Sequence, residues 1–128
     1  MRLQPLASDA TLMDDLQRNV RRAIEDSIPY PARDVRIACG LVLVLMDPDL
    51  YLTNPAYEKR RKTGSPALRN LWAFNELGRK VWEAEMPEPN DYYFQILASP
   101  ALAADSFSGY TCELDRVDGR ILRRTFHK

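Results

Sequence analysis

Asp34-Val35-Arg36-Ile37-Ala38-Cys39-Gly40-Leu41-Val42-Leu43-Val44-Leu45-Met46 is the stretch whose pattern governs the fold. Apolar residues alternate at Val35, Ile37 and Cys39, the period of a strand with one wet face. From Leu41 to Met46 every residue is apolar, which marks a strand covered on both sides. The stretch is therefore read as one central strand, bent at Gly40. Covering it twice requires a layer on each side.

The N-terminal segment supplies one layer. From Asp9 to Ser27, apolar residues fall at Leu12, Met13, Leu16, Val20, Ala23 and Ile24. That spacing draws one apolar stripe along a helix. Ser8 or Asp9 can cap its start, and Pro29 and Pro31 stop it. Further on, Asn54-Pro55 resembles a cap followed by a first-turn proline, and Gly64 a helix stop. A short surface helix is expected over Pro55–Thr63, with Lys59-Arg60-Arg61-Lys62 as its solvated face.

Hairpins fill the remainder. Leu71–Asn75 and Arg79–Glu85 flank a turn closed by Gly78, Tyr92–Ala98 and Ala101–Ser106 flank Ser99-Pro100, and Tyr110–Asp115 and Arg120–Phe126 flank Arg116–Gly119. Alternating strands around glycine turns predict antiparallel pairing. The expected fold class is α+β: an N-terminal amphipathic helix packed on an antiparallel meander of about six to seven strands, plus the short surface helix. The length of 128 residues fits a single domain over 1–128.

One segment echoes another. Leu71-Trp72-Ala73-Phe74-Asn75-Glu76-Leu77-Gly78-Arg79-Lys80-Val81-Trp82 has a counterpart in Thr111-Cys112-Glu113-Leu114-Asp115-Arg116-Val117-Asp118-Gly119-Arg120-Ile121-Leu122, with one residue inserted in the second turn. Each runs strand, amide or acid, glycine, basic residue, strand. The first copy resembles the blade signature of quinoprotein-type β-propellers, where Phe-Asp or Phe-Asn precedes a Gly-Lys hairpin and a Trp. Two copies fall short of the roughly four blades that close a propeller, so the resemblance implies an open antiparallel sheet and no cofactor site.

Chemistry is sparse. Proton-transfer catalysis favours histidine, and the single histidine, His127, lies one residue from the end, where a frayed tail is expected. Cys39 and Cys112 stand far apart in apolar stretches and are read as buried free thiols within strands. Neither CxxC nor HExxH occurs, and no calcium-loop spacing is present. No cofactor and no metal are therefore expected. Lys plus Arg and Asp plus Glu number 18 each, a balance that argues against a nucleic-acid partner. The longest apolar run, Ile37–Met46, falls short of a membrane span, and no secretory signal pattern opens the sequence. The expected location is the cytoplasm.

What remains is surface. Tyr92-Tyr93-Phe94 sits beside Glu88 and Asp91, Tyr51 and Tyr57 lie in an irregular segment, and Asp47, Asp49, Glu83 and Glu85 add carboxylates, the two glutamates sharing one strand face. Tyrosines serve well at interfaces, and acids steer basic partners. A non-catalytic protein-binding module is expected, with Asp47, Asp49, Tyr51, Tyr57, Glu83, Glu85, Glu88, Asp91, Tyr92 and Tyr93 as its contact residues. In size, balanced charge and open sheet the chain is similar to small bacterial immunity proteins of contact-dependent growth inhibition systems. That resemblance implies a cognate toxin domain as partner. Two alternatives stand: a hydrolase built on Asp47 and Asp49 with a divalent ion, and a self-associating structural protein that pairs sheet edges.

Overall fold

The computed structural model describes residues 21–28, 31–47, 69–89, 91–97 and 101–127. Within them lie one helix, α1 (Arg21–Ser27), and eight strands: β1 (Ala32–Ala38), β2 (Leu41–Met46), β3 (Leu71–Phe74), β4 (Lys80–Glu83), β5 (Tyr93–Leu97), β6 (Ala103–Ser106), β7 (Tyr110–Leu114) and β8 (Ile121–Phe126). The strands form two four-stranded antiparallel sheets, ordered β1-β2-β3-β4 and β5-β6-β7-β8.

This corrects the α+β expectation. The described residues are mostly β, and of the helix expected over Asp9–Ser27 they hold the seven residues Arg21–Ser27. Positions 9–20 and the helix expected at Pro55–Thr63 lie outside the described residues. The single meander of six to seven strands is likewise replaced by two meanders.

Much of the difference arises at Cys39-Gly40. These residues take φ of 54° and 75°, the paired left-handed geometry of a two-residue hairpin turn. Ala38 therefore pairs with Leu41, and Val35 with Val44. Gly40 does not bend one strand; it reverses the chain. Cys39 is consequently exposed, against the expectation of a buried strand thiol, while Cys112 is buried.

The apolar run of β2 is covered on both sides. Leu43 and Leu45 join a core shared with the second sheet, including Leu71, Ala73, Trp82, Tyr93, Ile96, Ala104, Cys112 and Leu114. Val42, Val44 and Met46 point the other way, into a cluster with Ile24 of α1, Trp72 and Phe74. The period of two sends alternate residues to opposite layers. Each fully buried leucine or valine contributes about 2 kcal/mol relative to exposure.

Among the described residues, the second sheet is covered on one face only. On its other face the register aligns Gln95, Asp105, Thr111 and Thr125 across the four strands. Thr111 Oγ1 donates to Asp105 Oδ1 (2.6 Å), and Arg123 lies 3.8 Å from Glu113. That face is polar.

Asn70, fully buried, joins the sheets. Its Nδ2 donates to the carbonyls of Met46 (3.2 Å) and Tyr93 (2.8 Å), and its Oδ1 accepts from the Tyr93 N–H (2.9 Å). One side chain thus serves β2 of one sheet and β5 of the other. A second join lies at the far end, where Trp82 Nε1 donates to the Arg116 carbonyl (2.9 Å) and Glu85 N to that of Gly119 (2.9 Å).

Candidate functional site

Local sequence first explains the end of the second sheet. Pro87-Glu88-Pro89 makes a turn in which Asp91 N donates to the Glu88 carbonyl (3.3 Å). The turn delivers the Asp91 carboxylate inward, where it is 4% exposed. Its Oδ1 accepts from Tyr92 N (2.8 Å) and Ser108 N (3.2 Å), and its Oδ2 accepts from the Ser108 hydroxyl. A carboxylate taking three donors ties the β6–β7 turn to the start of β5.

Rings stand on that clamp. Phe107, at the tip of the tied turn, stacks on Tyr92 with centroids 5.0 Å apart and planes at 17°. Two strands over, Tyr110 and Phe126 meet edge to face at 5.2 Å. Arg124 lies 5.0 Å above the Tyr110 ring and donates to the Pro87 carbonyl (2.7 Å), while the Tyr110 hydroxyl donates to Glu88 (3.2 Å). Phe107 and Phe126 are 69% and 59% exposed. The result is a row of fixed rings across one end of the sheet, with one acid and one base beside them.

The residues expected to bind a partner divide sharply. Tyr92, Glu88 and Asp91 come together here, but both acids bond within the fold. Tyr93 points inward, fully buried, its hydroxyl donating to the Glu85 carbonyl. Burial, helped by neighbouring Cys112, Asp91 and Glu85, pushes its phenol far above the ordinary tyrosine range. Burial also raises the Cys112 thiol, so at neutral pH it stays protonated and a poor nucleophile. Glu85 lies past the end of β4, not on a strand face with Glu83, and accepts the Ile121 N–H (2.8 Å). Glu83 pairs with Lys80. Asp47 closes β2, its N–H donating to the Pro31 carbonyl (3.0 Å). Asp49, Tyr51 and Tyr57 lie outside the described residues.

Sequence reasoning passed over Phe107, Tyr110, Arg124 and Phe126. One signal was available: Phe107 is a large apolar residue in the turn Phe107-Ser108-Gly109, where small polar residues belong. His127 also departs from the frayed tail expected of it, because its N–H donates to the Gly109 carbonyl (2.7 Å). Among the described residues no group of three or more His, Cys, Asp or Glu gathers to hold a metal ion. Nor is any described helix long and apolar enough to cross a membrane.

A family model for a domain of unknown function, DUF7957, matches residues 27–126. The chain belongs to the DUF7957 family. No curated protein and no solved structure matches the chain. The DUF7957 match takes in all eight strands and stops at Phe126, the last residue of β8. The aromatic row therefore belongs to the DUF7957 domain itself, as do both joins between its sheets.

Proposed function

We propose that the chain is a non-catalytic protein-binding module that captures its partner on the aromatic row of the second sheet. The supporting observation is the exposure of Phe107 and Phe126 on rings already fixed by stacking and by the Asp91 clamp. Large apolar side chains held in water favour association, and rings ordered beforehand lose little freedom on binding. Aromatic anchors of this kind carry much of an interface's energy. The acids play a smaller part than their number promises, since Glu85, Glu88 and Asp91 have partners within the fold.

Within this reading the partner is a toxin domain met in the cytoplasm, whose active site the module covers. Chain size, zero net charge and a ready-made contact surface support that choice. The test sets the chain against the protein encoded by the adjoining gene. Co-expression with that protein should restore growth, and a Phe107→Ala/Phe126→Ala variant with unchanged circular dichroism should bind at least about tenfold more weakly. Equal binding by the variant removes the aromatic row from the interface, and failure to restore growth removes the toxin.

A further inference from the structure

The first sheet ends at β1, and among the described residues only β2 pairs with it. Ala32, Arg33 and Arg36 are exposed along it. Hydrogen-bonding parity follows from the turn. A two-residue hairpin closes on a hydrogen-bonded pair, here Ala38 with Leu41. Alternate residues Ala38, Arg36 and Asp34 thus bond toward β2, and Val35 and Ile37 present their N–H and C=O groups to the open edge.

We propose that β1 pairs antiparallel with β1 of a second copy, on a two-fold axis through Val35. Three observations converge on that register. Val35 is the midpoint of Ala32–Ala38, so the axis centres the strand on its copy and leaves the register shift between Ala32 and Asp34 to the two ends of the pairing. Val35 also faces the open edge, so the central pair exchanges two backbone hydrogen bonds. Finally, Asp34 falls opposite Arg36 of the other copy, and Arg36 opposite its Asp34. These are non-hydrogen-bonded positions, where side chains approach most closely and opposite charges attract.

Within one chain Arg36 Nε already lies 3.1 Å from Asp34 Oδ2. Pairing would join the two ion pairs into a four-charge cluster of alternating sign. Moving the axis to Asp34 sets Asp34 against itself, and moving it to Arg36 sets Arg36 against itself. Like charges directly opposite are unfavourable, so the charge pattern selects one register.

The remaining edges fit a second copy less well. In the registers that pair most of β8, Arg123 or Arg124 faces its own copy. The β4 edge runs onto the β7–β8 turn through the Glu85–Gly119 hydrogen bond. Asn70 occupies the β5 edge at Tyr93. The dimer so formed carries one continuous sheet through both copies and leaves the aromatic row free, so it stands or falls apart from the proposed partner.

Sedimentation equilibrium of the full chain across a wide loading range tests the pairing. The wild type should reach twice the chain mass, and Arg36→Asp or Asp34→Arg alone should weaken the dimer by about tenfold or more. The double exchange Asp34→Arg/Arg36→Asp should return most of the affinity. Cys39 then reads the register, because it is the exposed thiol and Cys112 is buried. Spin labels on Cys39 should report backbone positions about 27 Å apart across the axis, against about 34 Å or 20 Å for the neighbouring registers, at roughly 3.4 Å per residue. A monomer at every loading overturns the pairing and leaves the edge to a strand of another protein. A dimer indifferent to both single reversals, or label spacings of another register, overturns it equally.

Discussion

The two sheets follow one plan and bury different amounts of themselves. Both are four-stranded meanders in sequential order. Each carries a register shift near the start of its first strand, at Ala32/Asp34 and Tyr93/Gln95, and another near the end of its third, at Ala73/Phe74 and Glu113/Leu114. The last turn of each opens on a side chain that accepts the N–H two residues on, Asn75 from Leu77 (2.9 Å) and Asp115 from Val117 (2.7 Å). Each turn closes on a left-handed glycine, Gly78 or Gly119. Yet the first sheet is packed on both faces, whereas the second keeps one face polar and one end aromatic. A fold repeated with unequal burial leaves the exposed rings Phe107 and Phe126 on the less covered copy, where residues are released from packing.

Separating the sheets at their join should have the largest effect. Asn70→Ala leaves buried groups of Met46 and Tyr93 unpaired, and urea unfolding should show a loss of about 4 kcal/mol. The matched turns offer the sharpest contrast. A Cβ at Gly119 would meet Trp82 ring atoms at 2.5 and 2.8 Å, so Gly119→Ala should cost about 3 kcal/mol, adding a clash with a buried indole to left-handed strain. Gly78→Ala, in the turn beside exposed Leu77, should cost only about 1 kcal/mol. Equal losses at the two glycines would mean that the second turn is not pressed against the first sheet. The smallest effect is a gain. Cys39→Asn puts the residue favoured for positive φ before Gly40 and should raise stability by about 0.5 kcal/mol, read as a higher urea midpoint.

Legibility followed the range of the forces involved. The turns at 75–78 and 115–119 could be read because asparagine or aspartate and a following glycine are short-range signals. The double covering of Leu41–Met46 was legible for the same reason. The β1–β2 hairpin was not, because cysteine is no turn former and the apolar residues on either side of Gly40 mask the reversal. Tyr92-Tyr93-Phe94 stood out as a segment, but alternation alone does not say which ring faces the neighbouring sheet. That choice rests with Asn70, twenty-three residues away from Tyr93. The aromatic row was hidden for a similar reason, since its members come from the starts and ends of four strands that only the sheet order aligns.

Both tryptophans fall in the first sheet, and that placement makes the protein its own optical gauge. Trp72 carries the Lys80 ammonium 3.5 Å from its ring centre, and Trp82 rests on the Gly119 turn of the other sheet. Ultraviolet-excited emission therefore contains one indole beneath a cation and one pressed on the seam, and none inside the second sheet. With Trp72 replaced by phenylalanine, the colour of the remaining emission follows the parting of the sheets, separately from the melting of either.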